Sequence, residues 1–354
     1  MYVQQNRKGV DAKMTPRDLE ILSHLYKVKV MSINQIHRLY FPNSSKYASK
    51  RMNHLRKLGY VTTKAKVVGK GRKETSCYYV TDKGIREVGI ETTVPASTML
   101  LGKLQDYRLK VSELFVNISL SPWSDWYWLD SKEVKKEFKL NRSTNISGGL
   151  QEINTERKER GKMPTYGVYV ITNHASENKI KEIRREIENI SKGPLNKFII
   201  FCEGNEEGTR NDNYTLFGID KLEAVSLMKV PYRLGLKLIP LLGPRKEGIR
   251  LITKEVLNTY PVKSDTITPF ADQAITVNNE EYYFVELLTN DLATRYFLKE
   301  YAQEVTDKKI LALVFEHQVQ EYKDAFRNNT NIHLCPVSPN LIDKLASATE
   351  DNIV

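Results

Sequence analysis

Residues 44–84 read SSKYASKRMNHLRKLGYVTTKAKVVGKGRKETSCYYVTDKG. Ser44 or Ser45 can cap a helix, and Ala48, Met52, Leu55 and Leu58 then recur at helical spacing on one side of it. Gly59 follows where a chain leaving a helix turns left-handed, so the spacing predicts a helix ending near Leu58. Lys46, Tyr47, Ser49, Lys50, Arg51, Asn53, His54, Arg56 and Lys57 are left mostly outside it. Two strand-like runs come next, Tyr60 to Val67 and Ser76 to Val80. Between them, Val68-Gly69-Lys70-Gly71-Arg72-Lys73 has the glycines and cations of an exposed hairpin tip. Thr81-Asp82-Lys83-Gly84 opens a further helix.

Upstream, Met14-Thr15-Pro16 writes a helix start. Thr15 can cap, Pro16 suits the first helical position, and Asp18 suits the first-turn dipole. Leu19, Leu22, Leu25 and Tyr26, with Ile21 alongside, give that helix one buried face. Val28 to Met31 is short and β-branched. Ser32 then caps a second helix with Ile33, Ile36 and Leu39 inward, closed by Phe41-Pro42-Asn43.

The chain has 354 residues and a net charge of +11, and the position of that charge matters more than its size. Residues 1–91 hold 19 basic and 7 acidic side chains, about +12, and the remaining 263 residues are close to neutral. Such asymmetry calls for a polyanionic partner at the N-terminal segment, with nucleic acid first. An acidic membrane surface ranks below it, because no amphipathic helix offers a bulky apolar face. No run approaches eighteen apolar residues and no signal-peptide core precedes residue 14, so a cytoplasmic protein without a membrane partner is expected. Cys77, Cys202 and Cys335 are too far apart for a zinc site, and no cofactor is expected.

The order helix, helix, basic helix, LRKLGYV, basic hairpin, YYVTDKG resembles the winged-helix superfamily over about residues 14–90. A major groove admits one helix, which needs hydrogen-bonding groups on its exposed face to read bases. Arg51 and Asn53 are the candidate base readers, and Lys46, Lys50, Arg56 and Lys57 suit phosphates. Lys70, Arg72 and Lys73 suit backbone or minor-groove contact from the wing.

Beyond residue 91 the signals are coarser. Residues 92–122 read as a linker and one long helix over Leu100 to Leu120, residues 123–250 as an α/β domain, and residues 251–354 as a second α/β domain. Trp123 to Trp128 is an aromatic cluster suited to a core, and the polar stretch 141–163, with Gly148-Gly149, reads as a loop. Tyr166–Thr172, Asn178–Ile190 and Asn196–Cys202 follow as strand, helix and strand. A similar order returns at Phe270–Val277, Tyr282–Leu288, Asp291–Val305 and Lys309–Phe315, which raises a duplicated unit. The fold class is therefore α+β: an N-terminal winged helix-turn-helix followed by an α/β region.

A basic winged helix, then SDWYWLDSKEV, then a strand and a strand-helix-strand unit resembles the replication-relaxation family. That resemblance implies a plasmid or other mobile-element protein acting in DNA replication or relaxation. The C-terminal hairpin also has a partial likeness to the restriction-endonuclease fold, in degenerate form. There an acid on one strand and an acidic-x-Lys on the next hold a divalent metal such as Mg²⁺. Asp272 and Glu286 fill the first two places, but Leu288 stands where the lysine would be, which argues against cleavage. The six histidines show no metal-ligand spacing, and no Walker A motif or serine or cysteine triad is found. The leading expectation is a sequence-specific double-stranded DNA-binding protein. A homodimer, or replication or conjugation proteins, would be its further partners. A metal-dependent nickase or relaxase and a winged-helix transcriptional repressor are the alternatives.

Overall fold

The structure, a computed structural model, describes residues 14–68, 72–92, 94–99, 104–123, 125–153, 163–204, 224–244, 248–266, 268–304 and 308–347. The chain divides into two compact units, Met1–Val116 and Asn117–Val354.

The first unit opens with helix α1 (Pro16–Val28). Thr15 and Asp18 form a reciprocal capping box at its start, and Pro16 occupies the first turn, where its missing N–H costs nothing. Ile21, Leu22, Leu25 and Val28 are buried along it. Strand β1 (Met31–Ser32) is two residues long, and Ser32 goes on to cap α2 (Ile33–Tyr40) in a second box with Gln35. Helix α3 (Ser45–Lys57) is followed by the paired strands β2 (Val61–Val68) and β3 (Arg72–Val80). The sheet runs in the order β1-β3-β2 and is antiparallel throughout, with Met31 opposite Tyr78 and Val61 opposite Val80. The strands reach further than their sequence suggested: β2 extends to Val68 and β3 begins at Arg72, with a register shift between Lys66 and Val67.

Helix α4 (Asp82–Glu87) is capped by Thr81. Helix α5 (Gln105–Leu120) begins inside the longer span expected from sequence, of which residues 100–103 lie outside the described residues. Its first half closes the unit. Leu109 packs with Val30, Cys77 and Tyr79, the Ser112 hydroxyl donates to the Val30 carbonyl, and the Gln35 side-chain Nε2 donates to the Leu109 carbonyl at 3.0 Å.

The second unit holds two five-stranded sheets of one design. The first contains β4 (Trp126–Asp130), β5 (Gly148–Glu152), β6 (Thr165–Ile171), β7 (Lys197–Cys202) and β8 (Ser226–Pro231), lying side by side in chain order. The second contains β9 (Val262–Lys263), β10 (Gln273–Val277), β11 (Glu280–Glu286), β12 (Lys309–Phe315) and β13 (Ile332–Val337), also in chain order. In each sheet the first two pairings are antiparallel and the last two parallel.

Helices supply the crossovers that parallel strands require. Between parallel neighbours these are α7 (Glu177–Ile190), α10 (Leu292–Tyr301) and α11 (Val319–Ala325), while α6 (Ser131–Glu137) joins the antiparallel β4 and β5, α8 (Tyr232–Leu242) and α9 (Gly248–Leu257) lie between the two sheets in sequence, and α12 (Pro339–Ser347) follows β13. Helix α7 lays Ile180, Ile183 and Ile187 on Tyr169, Phe198 and Ile200 of the first sheet. Leu298 of α10, with Tyr322 and Phe326 at α11, covers Tyr283, Val285, Ile310 and Val314 of the second.

The two sheets meet within this unit. The Lys229 amide donates to the Thr289 carbonyl at 3.0 Å, and the Asp291 carboxylate, which caps α10, accepts from the Ser226 hydroxyl and the Leu227 amide. The similar order of elements noticed in the sequence is thus a repeated topology.

One expectation is corrected here. The stretch 141–163 is not simply a loop, since it contains β5, while residues 154–162 lie outside the described residues. Gly148-Gly149 reads as part of that loop, yet in the structure these glycines lie in β5 and let neighbouring side chains approach its backbone. A Cβ on Gly148 would stand 2.4 Å from the Trp128 ring, and one on Gly149 would stand 2.8 Å from Val134.

Candidate nucleic-acid interface

Helix α3 carries five lysines and arginines and no acidic residue over its thirteen positions. The Ser44 hydroxyl accepts from the Tyr47 amide at its start. Ala48, Met52 and Leu55 are fully buried and pin one side against the unit. Opposite them, Lys46, Lys50, Asn53 and Lys57 recur at spacings of four, three and four and are all exposed, so they form one stripe along the helix. Ser49 and Arg56 flank the stripe on one side. Tyr47, 51 % exposed, and the half-buried His54 flank it on the other. The Tyr47 ring meets Phe41 edge-on at 5.4 Å, and the Arg17 guanidinium lies 5.1 Å from the Phe41 ring centre. The His54 Nε2 is buried and finds no hydrogen-bond partner among the described residues.

The C-terminal end of α3 is held from three directions. Gly59 takes φ +79°, its amide donates to the Arg56 carbonyl at 3.0 Å, and the Tyr60 amide donates to the Leu55 carbonyl at 3.0 Å. This pair of bonds satisfies carbonyls that a helix end otherwise leaves open. The Lys83 ammonium donates to the Leu58 carbonyl at 2.8 Å and sits 4.4 Å from the centre of the Tyr60 ring, a favourable place for a cation at a helix C-terminus. The Thr81 hydroxyl donates to the Gly59 carbonyl at 2.6 Å. Helix, first hairpin strand and α4 are therefore tied at one point.

Arg51 does not join the exposed stripe. Its Nε donates to Asp18 at 2.8 Å, a second guanidinium nitrogen contacts the other carboxylate oxygen, and its side chain is only 18 % exposed. Asp18 is 1 % exposed and also accepts from the Thr15 amide and hydroxyl at 2.8 and 2.7 Å. Burial alone raises the Asp18 pKa, but the hydrogen bonds from Arg51 and Thr15 outweigh it and hold the carboxyl below its usual range. Asp18 was read from sequence as a helix-dipole residue, and its link to Arg51 was not anticipated. The signal was present, because positions 18, 22 and 25 share the apolar face of α1.

Of the wing residues, Lys70 lies outside the described residues, and for Arg72 and Lys73 the description extends to the backbone of β3. Asp272 and Glu286 take different places in the second sheet. Asp272 is exposed just before β10, and its carbonyl accepts from the Ser264 amide. Glu286 is buried at the end of β11, where its two oxygens accept from the Thr289 amide at 2.6 Å and the Thr289 hydroxyl at 3.1 Å, so it caps the turn that follows. Leu288 is buried. Among the described residues no group of three His, Cys, Asp or Glu is placed to hold a metal, and no helix is long and apolar enough to cross a membrane.

These features define a mixed α/β protein whose N-terminal unit presents a cationic helix beside an antiparallel hairpin. Residues 22–121 match the family model described as Replication-relaxation, a span that runs from within α1 to the end of α5. No curated protein and no solved structure matches the chain.

Proposed function

We propose that this protein binds double-stranded DNA through an N-terminal winged helix and acts in the replication or relaxation of a plasmid, phage or other mobile element. One observation carries the reading. Helix α3 turns Lys46, Lys50, Asn53 and Lys57 outward in a single line, with no carboxylate on the helix to oppose a polyanion. A helix of that kind fits a major groove, with the lysines reaching phosphates and Asn53 able to pair with the two hydrogen-bonding groups of an adenine edge. The three helices, the β1-β3-β2 sheet and the basic run 68–73 give the order of elements a winged helix uses, and the family match over residues 22–121 supports the process.

The test is binding of the full chain to a pool of fragments from the element that encodes it, at two salt concentrations, with Mg²⁺ and Mn²⁺ present and supercoiled plasmid among the substrates. Selective retention of one fragment, weakening steeply with salt, is the expected result. Equal retention of every fragment removes sequence specificity from the reading. Nicking that disappears in Asp272→Ala or Glu286→Ala replaces it with a nuclease.

A further inference from the structure

Arg51 has the chemistry of a guanine reader and stands on the proposed recognition helix, yet it faces away from the exposed stripe. One edge of its guanidinium, Nε and a terminal nitrogen, engages both oxygens of a carboxylate that is itself almost wholly buried. That carboxylate closes the cap of α1 through Thr15, so one group joins the first turn of α1 to the middle of α3. A planar guanidinium bound at two points fixes direction as well as distance. The neighbours strengthen this. Met52 and Leu55 hold α3 by its apolar side through non-directional contact, whereas the two-point Asp18–Arg51 fork adds a directional constraint on the rotation of the helix about its own axis. Rotation decides which of Lys50, Asn53 and the flanking residues point outward.

We infer that Asp18 and Arg51 are positioning residues for DNA recognition, fixing the presentation of the α3 stripe without touching DNA themselves. This rests on the duplex-binding reading above. It assigns Arg51 to sequence discrimination through geometry and removes it from the count of groups that neutralise phosphate.

The experiment compares the unaltered full chain with Arg51→Met, Asp18→Asn, the double variant and Lys50→Met. Each is titrated with the preferred duplex and a scrambled duplex across a range of salt, at a temperature where circular dichroism shows all of them folded. Lys50→Met is expected to lower the salt slope by about 0.9, the value of one lost phosphate contact. Arg51→Met is expected to leave that slope unchanged while the ratio of preferred to scrambled affinity falls roughly tenfold, within the range for a lost base discrimination. The double variant is expected to be no worse than Arg51→Met alone, because the two residues act as one unit. Should Asp18→Asn fail to fold, Arg51→Met and Lys50→Met still decide the matter.

A drop of about 0.9 in slope for Arg51→Met overturns the inference and makes Arg51 a phosphate contact. An unchanged affinity ratio in Arg51→Met overturns it as well. If the unaltered chain shows no salt-dependent binding to either duplex, the duplex-binding reading itself falls. That result is distinct from both of the others.

Discussion

Replacing Gly84 by alanine tests whether the hairpin and α4 are locked to the end of α3 as the structure has them. A Cβ built on Gly84 stands 2.4 Å from the Tyr60 carbonyl oxygen and 2.8 Å from a Val80 methyl. The first of these is backbone, so no side chain can rotate out of the way. The Tyr60 carbonyl already accepts from the Thr81 amide and hydroxyl, both at 3.0 Å, and the Thr81 hydroxyl in turn accepts from the Gly84 amide at 3.1 Å. Relieving the overlap moves α4 away and lengthens all three bonds. Overpacking of this kind costs about 1–3 kcal/mol, and a weakened cap adds roughly 1 kcal/mol. The sum, about 2–4 kcal/mol, is a large part of the stability of a small unit. Hydrogen exchange read on peptides from β3 and α4 isolates this unit from the second one. Protection there is expected to fall by roughly 30-fold or more, at about 1.4 kcal/mol per decade, while peptides from β6 and β7 stay unchanged. Protection within threefold of the unaltered protein would refute the close approach at Gly84.

Gly59→Ala meets only a Lys83 methylene at 3.9 Å, so its cost is the left-handed backbone alone, about 1–2 kcal/mol, and Gly59→Asn recovers part of it; thermal melts of the two variants check this. Leu25→Ala empties a fully buried position on α1 and is expected to cost about 2–5 kcal/mol in calorimetry of the first unit. His24 is pushed down to about 4 from 6.5, first by burial and then by the Lys27 charge. Between those values the unfolded chain binds the extra proton, so the stability from neutral His24 is complete above about pH 6.5 and is lost as pH falls toward 4. Calorimetry at pH 7.0 and 4.5 should show a smaller loss in His24→Phe than in the unaltered protein, and equal losses would remove His24 as the cause. The Asp18 carboxyl titrates below its ordinary 3.8, so its contribution is lost only at lower pH and does not enter that window.

The first unit was legible in the sequence because its instructions are local. Thr15-Pro16, Ser32 and Ser44 mark helix starts that the caps bear out, and Gly59 and Thr81 mark the turns on either side of the hairpin. Each is a bond between residues a few positions apart, and such bonds follow from residue type and spacing. The concentration of positive charge before residue 92 is likewise a property of composition that no fold can move. In the second unit, Lys309–Phe315 and Asn196–Cys202 stood out as buried strands because both of their faces are apolar, as strands inside a parallel sheet require.

Other features depended on contacts between distant positions. Gly148-Gly149 carries the composition of a loop, and only the close approach of Trp128 and Val134 shows that it is a strand whose neighbours leave no room for a Cβ. The repetition of one strand order in two sheets is invisible to residue-by-residue comparison, because a fold is specified by patterning that many sequences satisfy. Arg51 is the sharpest case. Its charge and its place on a basic helix are sequence facts, and they point toward DNA. Asp18 lies 33 positions earlier on another helix. A guanidinium goes to whichever carboxylate the packing of α1 against α3 brings within reach, and that choice belongs to the tertiary structure.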